Sequence, residues 1–447
     1  MNIDSIRSQF PALLEKTFLD SACVSLAPLA AAQAIGEFLE MTVHCPARSS
    51  TLHHIAMDQM RSKARTEVAR LIHADETEVA LVESTSHGLN IIAEALPLER
   101  GDRLILGDLE FLEVGVPWCQ KRERMGLEID VVPNRYGKLL VEDLAARITP
   151  RTKAVVTSSV QWSNGFRMDL DSLSSLCRQR GLWLVVDAVQ QLGAFPMDVE
   201  QTPVDFLVCG GHKWLNAPFG AGLLYVNKAV RAVLRPPLAG YLSLETPDGG
   251  WGNYFQTPGI VPVRDYRFVE EARCFEVGGT SNYPGGIGLA ASVQIINELK
   301  PANIANHILK LTDTLLSGLE QQSVEIVTPV EPQFRSGIVT FTLGSREKNV
   351  ALMEHLLDRK ILVSVRYTSG VGGLRVSSHF FNNIADIDFL LEQLTHFLRG
   401  KSSGWSTRLS GAAPRTLFWE EFWLHAISGA PQRRCITGID HGRAFGE

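Results

Sequence analysis

Short apolar runs alternate with helical patterns between residues 65 and 230, and this alternation limits the fold more than any other feature of the chain. The segments between the runs, such as Asp169–Arg180, place apolar residues at helical spacing. Strands that are buried on both faces and separated by helices form βαβ units. The sequence therefore predicts an α/β protein with a mostly parallel sheet flanked by helices. The predicted strands are Arg103–Leu106, Glu128–Val132, Ala154–Ser158, Leu182–Val186, Phe206–Val208 and Gly222–Val226.

The second half of the chain differs in pattern. A length of 447 residues suits one large domain and a smaller one. Gly285 opens a long helical stretch, a strand-like run covers Ser336–Leu343, and two helical patterns follow over Asn349–Asp358 and Ala385–Leu398. We predict four parts: an N-terminal segment (1–20), a large domain (21–284), a small α+β domain (285–399) and a C-terminal extension (400–447).

The composition argues against several classes of partner. A formal net charge of −6 gives no reason to expect nucleic acid or an anionic membrane. We find no signal-peptide pattern and no apolar run long enough to span a bilayer, so we expect a cytoplasmic protein. The seven cysteines occur singly, and the histidines form no HExxH or HxH arrangement, so we predict no metal site.

Polar residues follow two neighbouring predicted strands. Asp187 and Gln190 lie in VVDAVQQLG after one strand, and His212 and Lys213 lie in CGGHKW after the next. Ligands of parallel sheets bind at the carboxyl ends of the strands. Taken singly, an acidic residue there often caps a helix and a lone lysine is usually solvated.

Three further features fall at the same edge and favour a ligand site. Ser84, Thr85 and Ser86 stand at the entrance to a helix, where hydroxyl and backbone N–H groups suit a phosphate. Phe111 follows a strand and could stack on a flat ring. Thr280, in GGTSNYPGG, offers another hydroxyl to an anion.

These motifs resemble those of fold-type I pyridoxal 5′-phosphate (PLP) enzymes of the aminotransferase class V, or cysteine desulfurase-like, family. The likeness runs from Phe18–Pro28 to Leu374–Asn383, and it is most specific in VVDAVQQLG followed by GGHKWLNAPFGAGLLYV. It implies a large domain with a mostly parallel seven-stranded sheet, a smaller α+β C-terminal domain, PLP as cofactor and a homodimer.

The resemblance also implies a role for each candidate residue. Lys213 would hold PLP as a Schiff base and act as the base at Cα, while Asp187 would pair with the pyridinium nitrogen. The other implied roles are a phenolate contact by Gln190, stacking by Phe111, phosphate contacts by Thr85, Ser86 and His212 with Thr280 of a partner subunit, and binding of the substrate carboxylate by Arg375.

Three departures from the family pattern bear on the site and its reaction. Gln161 or Trp162 occupies the neighbourhood where desulfurases carry an asparagine that faces the phenolate oxygen. Gly210 stands where the family has a serine that contacts the phosphate. The loop Arg366–Arg375 contains no cysteine, and none occurs between Cys274 and Cys435. Desulfurases carry their nucleophilic cysteine in this loop, so we do not expect persulfide chemistry of that type. The chain is closer to the branch that resembles C–S lyases and isopenicillin N epimerases.

Several reactions of an amino-acid substrate remain open. We favour C–S β-elimination, because relatives that lack the loop cysteine often catalyse it. Transamination and epimerisation of a specialised amino acid are the alternatives. A PLP-fold protein kept only as a binding module is a hypothesis from another class, and the presence of Lys213, Asp187 and Arg375 argues against it.

Overall fold

Thirteen strands and twelve helices form in residues 2–401, the part of the chain that this computed structural model describes. The strands are β1 Thr17–Phe18, β2 Val79–Val82, β3 Arg103–Gly107, β4 Glu128–Val132, β5 Thr152–Ser158, β6 Trp183–Asp187, β7 Phe206–Gly210, β8 Gly222–Val226, β9 Glu325–Ile326, β10 Ile338–Thr342, β11 Ile361–Leu362, β12 Ser364–Thr368 and β13 Val371–Ser377. The helices are α1 Ile3–Arg7, α2 Leu29–His44, α3 Ser50–Ile72, α4 Thr85–Ala95, α5 Leu112–Met125, α6 Val141–Ala145, α7 Leu170–Arg180, α8 Gly250–Tyr254, α9 Tyr283–Leu299, α10 Pro301–Glu320, α11 Arg346–Leu357 and α12 Ile384–Lys401.

The largest sheet has seven strands in the order β2-β8-β7-β6-β5-β3-β4. Strand β8 is antiparallel to both of its neighbours, and all other pairs are parallel. The predicted α/β class and mostly parallel seven-stranded sheet are confirmed. The sequence analysis did not include β2, although its four residues form an apolar run like those of the other strands.

Both faces of this sheet are buried, as the apolar runs predicted. In β6, Leu184 and Val186 pack into the cluster that contains Leu173 of α7. Val185 points to the opposite cluster, which contains Trp118 of α5. Alternate residues of one strand thus enter different cores, and a continuous apolar run is what such a strand requires.

A four-stranded antiparallel sheet in the order β12-β13-β10-β9 packs with α10, α11 and α12 around a separate core. The N-terminal segment packs against this region. Strand β1 pairs with β11, and the ring centroids of Phe10 and Phe381 are 4.8 Å apart. Arg7 forms an ion pair with Asp386 at 2.8 Å. The proposed domain limits stay a prediction, and residues 402–447 of the predicted extension lie outside the described part.

Candidate active site

Strands β6 and β7 bring Asp187 and Lys213 to the same edge of the large sheet. Asp187 ends β6 and is 3% exposed, and the backbone N–H of Val189 donates to its Oδ1 at 2.9 Å. Burial raises the pKa of Asp187 to about 7, against the lowering effects of the Val189 hydrogen bond and the charge of Lys213. The Asp187 carboxyl group and the Lys213 amine therefore interact electrostatically.

The Lys213 amine is available for chemistry. Its Nζ lies 5.7 Å from the ring centroid of Phe111, and it makes no hydrogen bond or ion pair with residues 2–401. Desolvation lowers the pKa of Lys213, Asp187 opposes this effect, and the charge of Arg375 adds to it. A lowered pKa gives a larger share of the neutral amine, the form that attacks a carbonyl carbon.

Helix α4 begins at Thr85, and its N-terminus faces β7. The Ser84 side chain accepts a hydrogen bond from the N–H of His87, which caps the helix. The N–H of Gly210 donates to Thr85 Oγ1 at 2.9 Å, so the hydroxyl hydrogen of Thr85 is left to donate to another group. The helix N-terminus and this hydroxyl are suited to an anion.

Gly210 lies close to the side chains of both Thr85 and His212. A Cβ at Gly210 would lie 3.0 Å from Thr85 Oγ1 and 3.2 Å from His212 Nδ1, so a larger residue would be crowded. Where the family has a serine, this chain therefore has a glycine that lies close to both the Thr85 and the His212 side chains.

His212 stacks on Phe219, with ring centroids 5.3 Å apart and an interplanar angle of 20°. Burial, and then the charge of Lys213, lower the pKa of His212 to about 4. The ring is therefore neutral near pH 7, and it would contact a phosphate as a hydrogen-bond donor rather than as a cation.

Thr280 was predicted to contact the phosphate from a partner subunit. It is exposed in the loop before α9, and no hydrogen bond within residues 2–401 joins it to Thr85, Ser86 or His212. Its role in the phosphate site of a partner subunit stays a prediction.

Gln190 is buried between two elements. Its Oε1 accepts from Trp214 Nε1 at 2.7 Å, and its Nε2 donates to the carbonyl of Ala22 at 3.0 Å. One amide hydrogen of Gln190 remains, so this group keeps a donor for the predicted contact to a phenolate oxygen.

Gln161 interacts with Glu110, a residue that the sequence analysis did not identify. Gln161 Nε2 donates to Glu110 Oε1 at 2.8 Å, and Glu110 also accepts from Thr157 and Ser158. Burial raises the pKa of Glu110, against the effect of these hydrogen bonds. The position of Glu110 between a strand end and Phe111 was the available signal.

Trp162, the other residue that the sequence offered for the phenolate contact, lies beside the stacking position. Its ring meets Phe111 edge to face, with centroids 5.1 Å apart. Its backbone carbonyl accepts a hydrogen bond from Arg375 Nη1 at 2.9 Å.

Arg375 is 1% exposed on β13. Its Nη2 pairs with Asp20 Oδ1 at 3.1 Å, whereas its Nε has no hydrogen-bond partner among the described residues. A buried guanidinium with a free Nε retains donors for an incoming carboxylate. Asp20 was not predicted, although it lies in the first motif of the resemblance.

The residues present fit PLP. A buried carboxyl group, an unpaired amine, an aromatic side chain and a helix N-terminus converge, and each suits one part of that molecule. Two buried polar atoms without a partner in the described part, Gln161 Oε1 and Arg375 Nε, leave room for polar groups of cofactor and substrate.

The family model for aminotransferase class-V matches residues 17–390. The chain belongs to this family. It is therefore a PLP-dependent enzyme, as the resemblance implied, and the predicted cofactor is confirmed.

Individual relatives agree with this family. A probable cysteine desulfurase of Pyrococcus abyssi is 27% identical over 415 residues, which cover 89% of this chain and 98% of the relative. The fold matches the apo structure of a cysteine desulfurase from Thermococcus onnurineus NA1, with a TM-score of 0.78, 24% identity, and coverage of 89% and 98%. It also matches a cystine C–S lyase in complex with cysteine persulfide, with a TM-score of 0.77, 23% identity, and coverage of 86% and 99%.

Proposed function

We propose that this enzyme is a C–S lyase that eliminates the sulfur substituent from Cβ of an amino acid. The observation that carries the proposal is the hairpin of β12 and β13 beside Arg375. Thr368 pairs with Val371, so only Ser369 and Gly370 form the turn, and both have positive φ angles of 45° and 76°. The hairpin is tight and contains no thiol to capture sulfur.

The hairpin is also fixed in place. Ser369 Oγ donates to the carbonyl of Asp108 at 2.7 Å, and the Tyr367 hydroxyl accepts from Asn349 Nδ2 at 2.7 Å. Both hydroxyls thus contact protein groups, and hydroxyls do not accept sulfane sulfur. Sulfur released at this site would leave as free sulfide or thiol, or as a free persulfide when the substrate is a disulfide.

In the proposed elimination, each side chain of the site has a separate role. PLP, when bound, supplies an electron sink for the pair left at Cα. Lys213 would take the Cα proton, Asp187 would hold a proton at the ring nitrogen, and Arg375 would orient the substrate carboxylate. The sulfur substituent then departs from Cβ with its electron pair. Hydrolysis of what remains gives a keto acid and ammonia, with no net oxidation or reduction.

The relatives support cleavage of a C–S bond. The solved structures include a cystine C–S lyase, and the curated relatives are cysteine desulfurases. Both names describe enzymes that act on sulfur-bearing amino acids, and we propose the same substrate class here.

A product assay tests the proposal. With L-cysteine, L-cystine and S-alkylcysteines as substrates, we expect pyruvate and ammonia in equal amounts. Alanine with protein-bound sulfane sulfur would contradict elimination in favour of desulfuration. Stoichiometric pyridoxamine phosphate would indicate transamination, and loss of optical rotation without pyruvate would indicate epimerisation.

We also propose that the working unit is a homodimer. Exposed apolar side chains on α2 and α3 support it: Leu39, Val43, Leu52 and Ile55 are 52%, 75%, 51% and 48% exposed. So does the exposed Thr280, which a partner's phosphate site would cover. A fully active monomer in light scattering would contradict this proposal.

The predicted cytoplasmic location is retained as a prediction. In residues 2–401 no helix is both long and apolar enough to cross a membrane.

A further inference from the structure

Residues 20–25 cross from one side of the site to the other. The N–H of Ala22 donates to Ser377 Oγ at 3.0 Å, which ties this segment to β13. The N–H of Ser25 donates to the carbonyl of His212 at 2.9 Å, which ties it to the loop that carries Lys213. The backbone on both sides of Cys23 is therefore fixed to the catalytic region.

Cys23 lies among the positive groups of the site. It is a free, half-buried thiol, and Arg366 Nη2 donates to its Sγ at 3.4 Å. It also interacts electrostatically with Lys213 and Arg375, the groups assigned to the two ends of the substrate. Arg366 lies on β12 and is half-buried.

A second observation, at Arg375, points to a ligand. The Arg375 side chain is 1% exposed, and its Nε has no partner in the described part of the chain. A buried guanidinium donor left unpaired costs free energy until an acceptor arrives. An amino acid whose carboxylate binds there would extend from Arg375 toward Lys213, the two cations with which Cys23 interacts electrostatically.

We propose that Cys23 is a catalytic residue that gives its proton to the departing sulfur of the substrate. The step rests on the proposed elimination. The S–H bond of Cys23 breaks as the Cβ–S bond breaks, the proton joins the leaving sulfur with the bonding pair, and Cys23 remains as a thiolate. Arg366 donates a hydrogen bond to that thiolate, and solvent later returns the proton.

Leaving-group dependence tests this role. We compare S-ethyl-L-cysteine, whose basic thiolate needs a proton, with S-(4-nitrophenyl)-L-cysteine, whose thiolate does not. In Cys23→Ala, pyruvate formation from the ethyl substrate should fall on the order of 10²-fold, and from the nitrophenyl substrate less than about 3-fold. Cys23→Ser keeps the size and should show the same selectivity. Cys45→Ser, at an exposed cysteine, is the control and should match the parent.

Other outcomes overturn the role in distinguishable ways. Equal losses with both substrates would make Cys23 structural. Sulfane sulfur on Cys23, found by mass spectrometry together with alanine as product, would make it a sulfur acceptor. If the parent enzyme forms no pyruvate from either substrate, the proposed elimination itself fails.

A measurement on the cofactor-free chain does not depend on turnover. Iodoacetamide alkylation with peptide mapping should label Cys23 several-fold more slowly in Arg366→Gln than in the parent at one pH, because the thiolate loses its cation. Cys45 and Cys119, both exposed, should react at unchanged rates. An unchanged alkylation rate at Cys23 would show that Arg366 does not stabilise the Cys23 thiolate, which contradicts this part of the proposal.

Discussion

The two sides of the active site are built in different ways. The cofactor side, made of Thr85, Phe111, Asp187, His212 and Lys213, consists of residues that follow strands of the large sheet or begin the next helix. The substrate side, made of Asp20, Cys23, Arg366 and Arg375, is joined by contacts across most of the chain, such as the Asp20–Arg375 pair.

This difference separates two aspects of function. On the cofactor side, the groups suit any reaction that begins with loss of the Cα proton. On the substrate side, the hairpin lacks the cysteine that desulfurases carry in this loop. Together with the proposed role of Cys23, it bears on the form in which the sulfur leaves. Substitutions on the cofactor side should therefore stop every reaction, and substitutions on the substrate side should change binding or product.

The largest effect is expected at Lys213. Lys213→Ala should abolish turnover while the protein folds and still holds PLP without a covalent bond, because this amine is assigned both the Schiff base and the removal of the Cα proton. Borohydride reduction and peptide mapping of the parent should place the label on Lys213.

Lys153→Ala is the matched control, since this lysine is largely exposed and lies on β5 away from the sheet's carboxyl end. It should retain parental activity. A borohydride label on Lys153 or Lys310 would refute the assignment of the cofactor side.

The next effect is expected at Asp187. Asp187→Asn should lower turnover by about 10²–10³-fold with little loss of PLP, because an amide cannot supply the charge that keeps the ring nitrogen protonated. The loss should be the same for elimination, transamination or epimerisation. Near-normal turnover of the variant would show that another residue keeps the ring nitrogen protonated.

The sequence predicted the cofactor side because local pattern specifies it. Strands buried on both faces are continuous apolar runs, so six of the seven strands were located to within two residues at nearly every end. Once the strands are known, the carboxyl edge follows, and with it the positions of Asp187 and Lys213. Only β2 of this sheet was missed, although it too is a short apolar run.

The substrate side could be predicted only in part. Arg375 was assigned through the resemblance, but Asp20, Cys23 and Arg366 were not assigned. Their proximity depends on the pairing of β1 with β11 and of β12 with β13, and periodicity along the chain does not report such long-range contacts. Cys23 was counted only among scattered cysteines, although its motif opens the region of resemblance.

A smaller effect is expected at Arg375. Arg375→Lys keeps a charge for Asp20 but removes the planar edge that binds a carboxylate with two hydrogen bonds. We expect kcat/KM to fall about 10–100-fold, mainly through KM, with the absorbance of the cofactor unchanged. A fall in kcat with unchanged KM would instead place Arg375 in the chemical step and weaken the division between the two sides.

The smallest effect concerns stability of the cofactor-free chain. Burial raises the pKa of Asp187 to about 7, whereas in the unfolded chain an aspartate titrates near pH ~4. Between these values the folded chain keeps a proton that the unfolded chain has lost, so the contribution of Asp187 to the free energy of unfolding falls as pH rises. Asp187→Asn has no such proton.

Urea denaturation at about pH 4.5 and about pH 7 should therefore show the parent losing stability relative to the variant, by up to a few kcal/mol. A constant difference between the two proteins would show that Asp187 is already ionised without cofactor, and that the cofactor side is electrostatically prepared before PLP binds.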